Sequence, residues 1–233
     1  MSLRCAAVVL AGGSGSRMGG NTPKQYLLLD GKPLIWYSLH AFEESPVEEV
    51  VLVVRPGETE LCRRNLVEPF GFRKIRTVVE GGKERFHSVF AGLQALKGRG
   101  YDLVAIHDGA RPLILPADAE RVIAAARETG AASLGVPVKD TVKVVREGII
   151  CDTPPRAELY LTQTPQVFRR SLYAEAMQLA AEQGKDYTDD CQLVEALGNA
   201  VTMVTGDYSN LKLTTPEDFA IAEALLSRRT GGC

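Results

Sequence analysis

The chain has 233 residues, 45% of them hydrophobic, enough for one sizeable core. Its formal net charge of −2 offers no broad positive field to a nucleic acid or an anionic membrane, so any phosphate must be drawn by local clusters of cations. No apolar run approaches the length of a membrane span. The five cysteines (Cys5, Cys62, Cys151, Cys191 and Cys233) show no CxxC pair and no zinc spacing; they read as reduced thiols of a cytoplasmic protein, each a small buried hydrophobe.

The first apolar run, residues 6–10, lies within Cys5 to Ala11, which leads straight into Gly12-Gly13-Ser14-Gly15. Cys5 to Ala11 has the length of a short signal-peptide core, but the loop behind it suits a buried strand entering a tight turn better than a cleavage site. Further β-rich runs follow at 50–54, 75–79, 103–106, 133–138 and 201–204. Most are nearly continuous in apolar residues, as strands covered on both faces are. Helical spacing lies between them. Ile35, Leu39 and Phe42 share one face after Pro33, a good first-turn residue, and Val89, Leu93 and Leu96 repeat the pattern. Thr215-Pro216-Glu217-Asp218 reads as an N-cap, a first-turn proline and an acidic first turn, with Ala222 and Leu225 continuing the apolar face.

Strand alternating with helix predicts an α/β fold with a doubly wound, mainly parallel sheet, in one domain over 1–233. One stretch breaks the rhythm. Residues 141–146, the Glu147-Gly148 turn and 149–152 read as a β-hairpin, followed by Pro154-Pro155. An arm at about 139–156 with little core of its own suits dimerisation; a surface ornament fits the pattern equally well.

Two constellations carry chemistry. The first strand ends in Leu10-Ala11-Gly12-Gly13-Ser14-Gly15-Ser16-Arg17-Met18, with Pro23-Lys24-Gln25 beyond. Small residues let backbone N–H groups approach phosphate oxygens, and a concave run of such dipoles favours an anion. No Gly-Lys-Ser/Thr closes the loop as in a Walker A motif, and Met18 occupies the third glycine position of a GxGxxG. A glycine-rich turn alone could be a tight connection; Arg17 and Lys24 add two cations able to neutralise much of a triphosphate. The second constellation, His107-Asp108-Gly109-Ala110-Arg111-Pro112, follows the run 103–106. Ligands of open α/β sheets lie outside the carboxyl ends of the strands, so Asp108 is expected in the same crevice as the 12–15 loop. A carboxylate there suits Mg²⁺, which takes one or two carboxylates plus phosphate oxygens, or it caps its own turn. His107 and Asp108, adjacent on a strand, should point apart, which argues against a His-Asp dyad.

The motifs Leu-Ala-Gly-Gly-x-Gly-x-Arg-Met, Pro-Lys-Gln, Gly81-Gly82-Lys83-Glu84-Arg85 with Ser88, His-Asp-x-Ala-Arg-Pro and Asp140-Thr141-Val142-Lys143 occur here in order. Thr162-Gln163-Thr164-Pro165-Gln166, Thr188-Asp189-Asp190 and Asn210-Leu211-Lys212-Leu213-Thr214 complete the set. Over essentially its whole length the chain resembles the 2-C-methyl-D-erythritol 4-phosphate cytidylyltransferases, CTP-using enzymes of non-mevalonate isoprenoid synthesis. The resemblance implies a Rossmann-like nucleotidyltransferase fold and transfer of CMP from CTP to a polyol phosphate. It implies that Ala11, Gly12, Gly13, Gly15, Arg17 and Lys24 hold the triphosphate, and that Gly81, Gly82, Arg85 and Ser88 read the cytosine. Asp108 is implied as the metal and substrate carboxylate, with Arg111, Thr141, Arg156 and Thr164 around the acceptor. Thr141 and Arg156 would come from the partner subunit's arm in a homodimer, and Lys212 would face Lys24 across the reacting phosphate.

Gly109 departs from an alanine of a relative and Cys191 from an expected alanine or serine; neither change is expected to matter. The chemistry agrees with the resemblance, because a phosphate monoester is already anionic and needs positioning and charge stabilisation, not a general base. A related enzyme for ribitol 5-phosphate shares most of these motifs, although Val138-Lys139-Asp140-Thr141-Val142-Lys143 is closer to the methylerythritol enzymes. A non-catalytic nucleotide-binding regulator would not need Lys24, Lys212 and Asp108 together. A dinucleotide oxidoreductase would want an acidic residue after the second strand, where Val54-Arg55-Pro56 stands.

Overall fold

The computed structural model describes residues 3–13, 23–184 and 187–230. Ser14, Gly15, Ser16, Arg17 and Met18 of the glycine-rich segment, and Cys233, lie outside the described residues. Each apolar run expected as a strand is one. In chain order the strands are β1 (Cys5–Leu10), the short pair β2 (Leu28–Leu29) and β3 (Lys32–Pro33), β4 (Glu49–Val54), β5 (Ile75–Glu80), β6 (Leu103–Asp108), β7 (Ala131–Pro137), the pair β8 (Val144–Arg146) and β9 (Ile149–Asp152), β10 (Tyr160–Arg169) and β11 (Thr202–Thr205). The helices are α1 (Leu34–Glu43), α2 (Thr59–Cys62), α3 (Arg85–Ala95), α4 (Pro116–Thr129), α5 (Arg170–Gln183), α6 (Asp190–Ala196) and α7 (Pro216–Thr230).

The main sheet has the order β11-β7-β10-β6-β1-β4-β5. Its pairings are parallel except around β10, which runs against both β6 and β7. The doubly wound, mainly parallel fold is therefore as expected, with an antiparallel strand that the sequence did not announce. Gln-, Thr- and Pro-containing Thr162-Gln163-Thr164-Pro165-Gln166 lacks the apolar continuity of the other strands, and the β7–β10 register shifts between Thr162 and Gln166.

Strand alternation divides the core into two layers. Ala7 and Val9 of β1, Val50, Leu52 and Val54 of β4, and Leu103 and Ala105 of β6 pack with Ile35, Leu39 and Phe42 of α1 and Val122 and Ile123 of α4. Ala6 and Val8, Val51 and Val53, and Val104 and Ile106 pack on the other face with Val89 of α3, Tyr173 and Met177 of α5 and Leu193 of α6. Each fully buried aliphatic side chain here contributes about 1.5–3 kcal/mol relative to exposure, which is why the order of apolar runs sets the sheet. A third cluster, with Leu29, Leu34, Leu213, Ala222 and Leu226, seats α7. Asp218 closes the start of α7, its Oδ2 accepting from Thr214 N (2.7 Å) and Thr215 N (2.8 Å). Pro33 ends β3 and stands at the N-cap of α1, one position earlier than expected.

The expected hairpin is present as β8 and β9, joined by Glu147 (φ 49°) and Gly148 (φ 79°), the left-handed pair that a two-residue turn of this type demands. It lies apart from the main sheet, and from 137 to 162 no residue is buried. Of the described cysteines, Cys5, Cys62 and Cys191 are buried as expected, whereas Cys151 is exposed because it sits on this hairpin.

Candidate active site

The carboxyl ends of β1 and β6, with the segment that follows β5, open onto a cleft of about 350 Å³. Ala11, Gly12 and Gly13 form one wall, Gly82, Arg85 and Ser88 another, with Lys24, Asp108 and Lys212 also lining it. The backbone stays close at these walls: Ala11 N donates to Val53 O at 2.7 Å and Gly81 N to Val54 O at 2.7 Å. Gly81 has no room for a side chain, since a Cβ would stand 2.6 Å from Ser88 Oγ. A second cleft, of about 410 Å³, opens on the far side of Asp108, lined by Arg111, Thr164, Gln166 and Asp189 among others. Arg85, Asp108 and Lys212 line both clefts.

Strand alternation aims the key carboxylate. Asp108 follows His107 at the end of β6, and the two point apart as expected. His107 is buried against Phe42, with Thr164 Oγ1 3.1 Å from its Nδ1. Burial drives its pKa down to about 3, so the ring is neutral and no dyad forms. The Asp108 backbone N–H donates to the same Thr164 hydroxyl at 3.0 Å, which ties β6 to the register shift of β10.

The Asp108 carboxylate is shared between two cations. Lys212 Nζ lies 2.7 Å from Oδ2 and Arg85 Nε 3.4 Å from Oδ1. Burial opposes its charge, but Arg85 and Lys212 outweigh burial and hold the carboxyl well below the usual range. Arg85 reaches further, placing Nη2 2.6 Å from Asp190 Oδ2. Burial opposes the Arg85 charge too, and Asp190 and then Asp108 more than restore it. Lys24 reaches the segment that carries Lys212, donating from Nζ to Leu213 O at 2.7 Å. Arg111 is held from behind, with Nη1 2.7 Å from Asn210 O, and burial lowers its pKa against the pull of Asp108.

Most of the residues singled out from the sequence thus meet at one place. Gly15 and Arg17 lie outside the described residues. Thr141 and Arg156 line neither cleft; both are exposed on the arm, where Arg156 Nη1 donates to Lys139 O at 2.8 Å. Gly109 carries a constraint that the sequence did not show: a Cβ there would lie 2.3 Å from Ile35 Cδ1 and 2.9 Å from Leu10 O. The Gly109 N–H donates to that Leu10 carbonyl at 2.9 Å, a bond that holds the carbonyl oxygen where a Cβ would meet it. The sequence also gave no role to Asp190, Tyr173 or Asn210, which lie outside these two clefts, or to Gln166, which lines the second; together they brace the charged residues. The acidic pair Asp189-Asp190 at the start of α6 was the one available signal.

The profile of the 2-C-methyl-D-erythritol 4-phosphate cytidylyltransferase family matches residues 5–228. The chain belongs to this family. It is 48% identical over 226 residues to the 2-C-methyl-D-erythritol 4-phosphate cytidylyltransferase of Geotalea uraniireducens, covering 96% of this chain and 97% of that one. It is 49% identical to the protein of the same name from Desulforamulus reducens, with 97% of each chain covered. Among solved structures it resembles 4-diphosphocytidyl-2C-methyl-D-erythritol synthase from Anaerococcus prevotii, with a TM-score of 0.86, 30% identity, and 98% of this chain and 100% of that chain covered. The cytidylyltransferase of Thermus thermophilus matches with a TM-score of 0.77 and 34% identity over 97% of this chain and 98% of that chain. The fold of this cytidylyltransferase family is a mainly parallel sheet with helices on both faces, as described above. Among the described residues, no helix is long and apolar enough to cross a membrane.

Proposed function

We propose that this chain transfers CMP from CTP to 2-C-methyl-D-erythritol 4-phosphate, giving 4-diphosphocytidyl-2-C-methyl-D-erythritol and pyrophosphate. The observation that carries this reading is the sharing of Arg85, Asp108 and Lys212 by two clefts, one walled by the glycine-rich strand end and one by polar side chains. A nucleotide in the first and an acceptor in the second would meet at that junction.

In this reading an oxygen of the acceptor's phosphate attacks the α-phosphorus of CTP. The new P–O bond forms as the bond to the β-phosphate breaks, and pyrophosphate leaves with the electron pair. The attacking oxygen carries no proton at neutral pH, so no general base is required. Gly12, Gly13 and Gly15 would lend backbone N–H groups to the phosphates, with Ala11 and Arg17 beside them. Gly81, Gly82, Arg85 and Ser88 would enclose the cytosine. Lys24 and Lys212 would stabilise the charge that gathers on the α-phosphate oxygens in the transition state. Arg111 and Thr164 would receive the acceptor.

A divalent cation, Mg²⁺ in this reading, would neutralise phosphate charge when bound. Asp108 fits it: the carboxyl is ionised and stands at the mouth of both clefts. Among the described residues no group of three His, Cys, Asp or Glu side chains could hold a metal, so phosphate oxygens would supply further ligands.

The arm supports a homodimer. Val145, Ile149, Ile150 and Leu161 are each more than half exposed, and a two-fold partner is one way to cover them. Thr141 and Arg156 would then enter the partner's acceptor cleft. The reading also has the protein working in the cytoplasm with its thiols reduced, without nucleic acid or membrane as partner.

The test is pyrophosphate release from CTP, ATP, GTP and UTP, each with a panel of polyol phosphates. CTP with the methylerythritol phosphate should lead by orders of magnitude, since a site that hydrogen-bonds the cytosine amino group rejects bases lacking it. Equal turnover of UTP, or preference for ribitol 5-phosphate, overturns the corresponding assignment.

A further inference from the structure

The Asp190 carboxylate is almost wholly buried, its side chain 2% exposed, yet it lies in neither the glycine-walled cleft nor the polar one. Both of its carboxylate oxygens and its backbone N–H are engaged. Its Oδ2 accepts from Arg85 Nη2 at 2.6 Å, and its Oδ1 accepts from the Tyr173 hydroxyl. Its backbone N–H donates to Gln166 Oε1 at 3.0 Å. Tyr173 is itself fully buried, stacked on Phe168 with ring centroids 4.7 Å apart and planes 7° from parallel. The carboxylate therefore presents one oxygen to Arg85 from a position that core packing has set.

A buried ion pair is a poor source of stability compared with apolar packing, so its geometry is the more informative property. Arg85 opens α3 and is the residue of that helix that reaches Asp108. Its contact to Asp190 is short, at 2.6 Å, and its contact to Asp108 is long, at 3.4 Å. Lys212 holds the other Asp108 oxygen at 2.7 Å. A guanidinium facing one carboxylate without a rival closes on it through two parallel N–H···O bonds. Here the pull toward Asp190 prevents that closure and leaves Asp108 Oδ1 weakly engaged.

We propose that Asp190 is a positioning residue, holding Arg85 back from Asp108 so that Arg85 can serve both clefts and Asp108 stays open to substrate. This rests on the cytidylyltransferase reading above. Without the Asp190 charge, Arg85 would fold onto Asp108, occupying the carboxylate at the junction and withdrawing from the nucleotide wall.

A double-mutant cycle tests this with CTP and the methylerythritol phosphate. Asp190→Asn should lower kcat/KM by about 10–100-fold, the usual cost of losing a group that orients a site residue. In an Arg85→Ala background the same change should cost little more, because the group it positions is gone. Asp190→Glu should restore part of the loss. Calorimetric titration with CTP in the absence of acceptor gives a readout apart from turnover: Mg²⁺ should improve CTP affinity less in Asp190→Asn than in the wild type. Should Asp190→Asn fail to fold, Tyr173→Phe removes one of the donors that fix the carboxylate and should weaken kcat/KM in the same direction, by less. Equal losses from Asp190→Asn in both backgrounds, or a folded variant of lower melting temperature with unchanged kinetics and CTP affinity, would mean that the pair only fastens α6. Either result, with an active wild type, overturns this inference and leaves the reaction standing. A wild type inactive with every triphosphate and acceptor overturns both.

Discussion

The crevice at the strand ends and the arm are opposite answers to the same constraint. In and behind the crevice, charged groups that would be costly to bury are satisfied inside the chain: Asp108 by Lys212 and Arg85, and Asp190 behind it by Arg85 and Tyr173. On the arm, apolar groups that should be buried are left in solvent, with Ile149 69% and Ile150 60% exposed. The crevice needs only its own core to hold its shape. The arm, a two-stranded sheet with no helix against it, cannot bury its side chains without a second surface. Among the described residues the one region is held by its own chain, and the other reads as half of an interface.

The sharpest way to break this contrast is to remove the cations of the crevice. Lys24→Ala or Lys212→Ala should lower kcat by about 100–1,000-fold, the range for losing one preorganised group that stabilises transition-state charge. Circular dichroism should stay native. Lys24→Arg should also be impaired, because a planar fork does not replace a compact ammonium. Near-normal kcat in either alanine variant refutes the role given to that lysine.

The arm is tested by sharing. Arg156→Ala and Lys24→Ala proteins, each inactive alone, should recover activity when mixed and allowed to exchange subunits. Random exchange makes about half of the dimers mixed, each with one intact site, so about a quarter of the wild-type rate per site is expected. Dimers that exchange and recover nothing would separate the arm from the site.

Two smaller effects probe how tightly the crevice wall is finished. Gly109→Ala should destabilise by about 1–3 kcal/mol in urea unfolding, the usual cost of overpacking. Shortening Ile35 to Val should relieve only part of it, since Leu10 O is backbone and cannot retreat. A neutral Gly109→Ala would show that Ile35 and the two strand ends give way at little cost. His107 supplies the last test. Its pKa is near 3 when folded against about 6.5 unfolded, so below pH 6.5 the unfolded chain binds more protons. Stability should therefore fall by about 2 kcal/mol between pH 7 and pH 5, and continue falling toward pH 3. His107→Asn should lack that slope in urea midpoints measured across the range.

Much of this was written in the chain order of residues. The continuous apolar runs at β1, β4 and β6 could only be strands covered on both faces, and their order fixed a doubly wound sheet. The strand-end rule puts the glycine-rich loop and Asp108 in one crevice, and Gly12, Gly13 and Asp108 do line it together. The exposed hairpin was legible too, since Glu147-Gly148 between two apolar runs permits little else. Other features were not. β10 carries Gln163, Thr164, Pro165 and Gln166, a polar run broken by a proline and without the apolar continuity of the other strands; its place between β6 and β7 depends on hydrogen bonds to both neighbours. The tightness at Gly109 arises because two strand ends and Ile35 of α1 converge, a meeting of segments far apart in sequence. Asp190 lies 105 residues from Arg85, and no local pattern links them. Periodicity and turn chemistry are local, so the sequence by itself determined which segments were strands, helices and loops. Pairing of charges and closeness of backbones are distances between remote segments, and those only the tertiary structure decided.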